Sequence, residues 1–134
     1  MTGGGASRAQ QLVEDMLQAA VARRASDIHL EPQAQGARIR YRVDGILQNG
    51  ITLTSGAHEA AVARLKLLSG MDIAERRLPL DGRMSWEYEG RKLDLRLATL
   101  PTVWGEKVAV RLLEADKALL PLADLSFSLS LIHI

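Results

Sequence analysis

Arginine is the residue type in this chain best suited to chemistry on an anion. Of the 17 basic residues, thirteen are Arg and four are Lys. A guanidinium presents a rigid fork of donors that matches carboxylate and phosphate oxygens. A GC-rich genome raises the same count with no physical purpose, so position must decide. Glu89-Gly90 reads as a two-residue hairpin loop, which pairs Tyr88 with Arg91 and fixes the register. Trp86 then faces Leu93, and Met84 faces Leu95, on an apolar side. On the other side Glu87 meets Lys92, Ser85 meets Asp94, and Arg83 meets Arg96. Two arginines set opposite each other cost about a few tenths of a kcal/mol or more. Three resolutions stay open: an acid such as Asp94 or Asp81 screens them, a bulge shifts the register, or the face accepts an anion such as phosphate. In the last strand Lys107, Ala109 and Arg111 alternate with Val108, Val110 and Leu112. Arg111 shares the polar face of Arg96 if those strands are neighbours. Arg38, Arg40 and Arg42 make a third basic row, read as a solvated face.

Other chemistries are thinly supplied. There is no Gly-Lys dipeptide, hence no phosphate-binding loop of the G-x-x-x-x-G-K-[ST] type. His29, His58 and His133 lack metal-ligand spacing, and no metal site is expected. His29 alternates outward on a short strand and reads as a hydrogen-bonded surface histidine. Nothing in the sequence gathers Asp27, Glu31 and Asp44 into an acid–base set, and Ser55 and Ser69 lack a nucleophile's context. The absence of Cys removes disulfides, thiolate catalysis and zinc–thiolate sites together. A net charge of +1 argues against nucleic-acid binding through bulk charge. Tyr41, the aromatic within the Arg38–Arg42 stripe, points to the opposite face, so no stacking platform supports that class either. No apolar run approaches the ~20 residues that span a bilayer, and Met1 to Gln10 lacks the apolar core of a secretory signal.

The elements that must position these residues follow from periodicity. The 134 residues fit one domain that buries roughly two-thirds of its unfolded surface. Met1 to Ala6 is Gly-rich and expected to be disordered. Ser7 is a candidate N-cap for a helix from about Arg8 to Arg24, carrying Leu12, Val13, Met16, Leu17, Ala20 and Val21 at helical spacing. Strands are expected at Asp27–Glu31, Ala37–Val43 and Ile46–Leu53, with Asp44-Gly45 as a hairpin turn. Ser55 is read as the cap of a second helix, about Ala57 to Leu68, closed by Gly70. Three further strands follow, about Arg83–Tyr88, Arg91–Thr99 and Glu106–Leu113. The order α-βββ-α-βββ predicts an α+β fold: a mainly antiparallel sheet with helices on one face.

Several blocks carry a family resemblance. Ala25-Ser26-Asp27-Ile28-His29-Leu30-Glu31-Pro32 and Arg40-Tyr41-Arg42-Val43-Asp44-Gly45 resemble signatures of the type II secretion and type IV pilus assembly ATPases. Met71 to Pro79, Asp81-Gly82-Arg83, Leu93-Asp94-Leu95-Arg96, Leu100-Pro101-Thr102 and Gly105 to Leu113 continue the pattern in family order. The resemblance covers about residues 10 to 127. It is to the second N-terminal domain, which precedes a RecA-like motor and has a PAS-like fold.

The resemblance implies a PAS-like domain over 7–116 and a linker toward a missing motor over 117–127. Residues 128–134 (SLSLIHI) stand outside the family pattern, as a cloning or reading-frame artefact would. It implies ATP and Mg2+ as cofactors of the full-length protein, a homo-hexamer, and an inner-membrane platform protein as partner. It also implies a cytoplasmic place peripheral to the bacterial inner membrane. Arg96 and Arg111 match the family's arginine fingers, with Arg83 as a secondary nucleotide contact by hairpin geometry. Asp27, His29 and Glu31 are read as structural or interdomain contacts, Arg76 and Arg77 as interdomain or solvent contacts, and Asp44-Gly45 and Asp81-Gly82 as turns. The chain alone is expected to be inactive and monomeric or weakly dimeric. The alternative is a stand-alone PAS-like module that binds a protein or small ligand.

Overall fold

The computed structural model describes residues 4–114. The elements are α1 (Gly4–Arg23), β1 (Asp27–Pro32), β2 (Ala37–Val43), β3 (Ile46–Leu53), α2 (Ser55–Leu68), β4 (Leu80–Tyr88), β5 (Arg91–Thr102) and β6 (Gly105–Glu114). The expected α-βββ-α-βββ order therefore stands, as does the α+β class. All six strands form one antiparallel sheet in the order β3-β2-β1-β6-β5-β4. The two three-strand groups meet where β1 pairs with β6.

Strict alternation makes one face of this sheet apolar. Ile28, Leu30, Ile39, Leu95, Leu97, Val108 and Val110 are buried against Val13, Met16, Leu17 and Ala20 of α1 and Ala61, Val62 and Leu65 of α2. Burying each of the larger side chains contributes roughly 1.5–3 kcal/mol. Both helices lie on that side, so the opposite face is free to carry charge.

The helix ends differ from expectation in informative ways. α1 begins at Gly4 rather than Arg8 and takes in Ser7, because propagation adds a hydrogen bond for each residue fixed once a helix is anchored. Its C-terminus closes without glycine: Arg24 takes φ +58°, and Ala25 N–H donates to Ala20 O at 2.8 Å. α2 is capped by Thr54, not Ser55, since the Thr54 hydroxyl accepts from Ala57 N–H at 3.1 Å.

Both expected hairpin turns form, with positive φ at Asp44-Gly45 and Glu89-Gly90. Asp81-Gly82 is not a turn. Gly82 lies inside β4 opposite Leu97, where a Cβ would sit 2.7 Å from the Ser69 carbonyl oxygen. The glycine serves close approach of the strand to the end of α2. Gly82→Ala should therefore destabilise by about 1–3 kcal/mol, read as a lower urea midpoint with unchanged slope.

A buried ion pair ties α2 to the β5–β6 hairpin. Lys66, 1% exposed, meets Glu106 at 2.6 Å and donates to the Glu75 carbonyl, while the His58 ring bonds the Glu106 carbonyl oxygen at 2.7 Å. The connection between α2 and β4 is thereby fixed to the same hairpin. No described helix is long and apolar enough to cross a membrane.

Candidate functional site

The face away from the helices is organised in cross-strand rows. β1 is its centre, because Asp27, His29 and Glu31 alternate there with Ile28 and Leu30. Asp27 opposes Arg42 of β2 on one side and Arg111 of β6 on the other. Arg111 opposes Arg96 of β5, and Arg96 opposes Arg83 of β4. One row thus reads Arg42, Asp27, Arg111, Arg96, Arg83 across five strands. The expected hairpin register from Tyr88–Arg91 to Arg83–Arg96 holds at every pair, so no bulge removes the arginine contact.

The two ends of the row differ electrostatically. Asp27 is 1% exposed and accepts from Arg111 Nε at 2.7 Å and from the Ser26 hydroxyl at 2.7 Å, with Arg42 Nε at 3.8 Å. Arg111 is nearly buried by this arrangement. Arg96 is half-buried and Arg83 exposed, and among the described residues neither forms an ion pair. Neither Asp94 nor Asp81 forms an ion pair with them. Like charges therefore stand side by side, next to a third guanidinium whose Nε is already committed to a carboxylate. An anion bridging these forks would relieve the repulsion and find prealigned donors.

A second cluster surrounds Glu31. Arg38 Nε lies 3.1 Å from its carboxylate, Arg40 Nε 2.9 Å and Lys107 Nζ 3.8 Å. The Arg38–Arg42 stripe is thus held largely by carboxylates of β1 rather than being a plain solvated row. Burial alone would raise the Glu31 carboxyl, but Arg40 above all, then Arg38 and Lys107, hold it below its ordinary 4.5. Between the clusters sits His29, expected as a hydrogen-bonded surface residue. It is instead buried, with neither ring nitrogen partnered. Burial first, then the Lys107 charge, push its pKa below the ordinary 6.5.

Both shifts act in the same direction on stability. His29 stays neutral in the fold while the unfolded chain protonates below about pH 6.5, so stability falls with pH from there toward its folded value. Glu31 adds stability above pH 4.5 that is lost as pH falls through its depressed folded value. Urea midpoints should therefore drop in two stages on acidification, and His29→Gln should remove the upper one.

Reading the sequence missed the Asp27–Arg111 pair and the roles of Lys107 and His29. The alternation of Asp27, His29 and Glu31 was visible, but the β1–β6 adjacency that brings Arg111 and Lys107 to them joins residues about 80 apart in the chain. Among the described residues, no cluster of His, Cys, Asp and Glu is arranged to hold a metal ion.

Comparison with known proteins places this geometry in a family. A model described as Type II/IV secretion system protein matches residues 4–131. The Type IV pilus assembly ATPase PilB of Thermus thermophilus is 42% identical over 122 residues, covering 91% of this chain and 14% of that protein. The Type II secretion system protein E of Xanthomonas campestris is 42% identical over 118 residues, covering 88% of this chain and 21% of that protein. The Protein transport protein HofB homolog of Escherichia coli is 47% identical over 104 residues, covering 78% and 23%. The chain thus spans between 14% and 23% of the length of these relatives. With a family model matching nearly its whole length and relatives at 42–47% identity, the chain belongs to the Type II/IV secretion system protein family.

Proposed function

We propose that this chain is the nucleotide-contacting regulatory domain of a secretion or pilus-assembly ATPase. Arg96 and Arg111 act as arginine fingers over ATP bound to a RecA-like motor domain, with Arg83 as a secondary contact. The observation that carries this is the uncompensated Arg96–Arg83 pair in register beside Arg111. The names of the relatives as ATPases supply the nucleotide.

The residues of this chain would orient and neutralise rather than make or break bonds. Asp27 takes the Nε edge of Arg111 and leaves its remaining N–H groups for an incoming oxygen. It is a positioning residue. Arg96 enters the same row from β5 and brings a second fork without a competing carboxylate. Charge growing on the γ-phosphoryl oxygens in the transition state is met by donors already in place. ATP and Mg2+ come with the motor, since both carboxylates at the centre of this face are engaged by guanidinium groups. Once the terminal phosphate leaves, the anion that held the forks together is gone, and the face can part from the motor.

In this reading the PAS-like unit over 7–116 works within a homo-hexamer. It sits on the cytoplasmic side of the inner membrane and transmits motion to a platform protein there, and alone it hydrolyses nothing. The test is ATP turnover by a full-length relative carrying alanine at the positions of Arg96 and Arg111. Loss in both supports the reading; undiminished turnover in both overturns it.

A further inference from the structure

The middle row of the polar face contains a residue that neither ion-pair cluster uses. His29 is 8% exposed, and both its ring nitrogens lack a hydrogen-bond partner. Buried polar groups are ordinarily paired, so an orphaned imidazole on a charged face calls for a ligand. Its cross-strand neighbours are Arg40 on β2 and Ala109 on β6, and Ala109 in turn opposes Ala98 on β5. The two alanines leave this row lower than those beside it. Arg111 and Arg96 flank this row on one side and Lys107 on the other, and the covered ring nitrogens of His29 are reached by an anion that draws these long side chains aside. Alternate residues of a strand are about 7 Å apart, which leaves a phosphoryl group within reach of both sides.

The charges facing His29 favour an anion there. Asp27 and Glu31 flank it on β1, Arg40 and Arg42 lie on β2, and Lys107 and Arg111 lie on β6. Arg96 stands beyond Arg111 on β5, and Asp81 closes the far end of the row on β4. Burial first, and then the Lys107 charge, hold the imidazole below its ordinary pKa, and an arriving negative charge acts against that shift.

We propose that His29 is a further anion contact of this face: a terminal phosphoryl oxygen of a polyphosphate, seated over Ala109, accepts a hydrogen bond from its imidazole while Arg111 and Lys107 hold the group from either side. This rests on the reading that the face meets a nucleotide, and it adds a proton to that encounter. Bound phosphate favours the protonated ring, so by linkage the anion binds more tightly as pH falls.

The test uses the 134-residue chain, inorganic tripolyphosphate as probe and the histidine ring C–H signals in NMR. Saturating tripolyphosphate should raise the His29 titration midpoint by about one unit. Affinity should then be about tenfold higher below both midpoints than above them. His29→Gln, or His29→Asn if the first folds poorly, should abolish that pH dependence, whereas Arg96→Ala should weaken binding at every pH. A His29 midpoint that stays put while tripolyphosphate binds through Arg96 and Arg111 overturns the His29 contact and leaves the nucleotide reading standing. No binding, with both arginines still required for turnover in the full-length relative, does the same. A shifted His29 midpoint together with undiminished turnover in both arginine variants supports the His29 contact and removes the nucleotide reading.

Discussion

Replacing Asp27 with alanine should destabilise the domain by about 3 kcal/mol and lower its melting temperature by roughly 10–15 °C. The carboxylate is 1% exposed and accepts from Arg111, the Ser26 hydroxyl and, at longer range, Arg42. Its removal leaves Arg111 largely desolvated and facing only other cations. Breaking one side of a buried pair costs about 3–5 kcal/mol, and the partial exposure of Arg111 places this case at the lower end. Asp27→Asn keeps an acceptor for Ser26 and should cost less. Asp27→Ala combined with Arg111→Leu should recover most of the loss, since the stranded charge goes with its partner. Urea unfolding of the three variants checks this, and a single variant within about 0.5 kcal/mol of wild type would show that the pair is not structural.

The second large effect is kinetic. In a full-length relative, alanine at the position of Arg96 should lower ATP turnover by about 10³-fold or more, the range seen when arginine fingers are lost. Lysine there should restore little, because a single ammonium cannot reproduce the planar fork. Alanine at Arg111 should act similarly on turnover and also free Asp27, so it carries a stability cost that Arg96→Ala lacks. Lys92→Ala, two rows away on the same strand, serves as the control and should leave turnover within about twofold. Rates at saturating ATP separate the loss of transition-state stabilisation from weaker binding.

Local signals in the sequence were sufficient where the fold is local. The Glu89-Gly90 loop set the β4–β5 register from Tyr88 to Arg83, and Asp44-Gly45 set the turn between β2 and β3. Period-two alternation separated the apolar face from the charged one. What the sequence left open depends on pairing between distant strands. Asp27 and Arg111 touch only because β1 lies against β6, and no local pattern dictates that adjacency. His29 looked solvent-facing by alternation alone, since alternation reports which face a residue occupies and not how crowded that face is. Five long cations stand around it on β2 and β6, and it is buried. Asp81-Gly82 reads as a turn in sequence because a strand glycine required by close approach to Ser69 has the same appearance there. The expected linker over 117–127 and tail over 128–134 lie outside the described residues.

The most direct measurement is the position of the charged face in a full-length relative bound to a non-hydrolysable ATP analogue. The guanidinium groups at the positions of Arg96 and Arg111 should lie about 2.7–3.0 Å from γ-phosphate oxygens, the distance of a charge-assisted hydrogen bond. A face turned away from every nucleotide in the assembly, with both groups well beyond hydrogen-bond reach, would contradict the account.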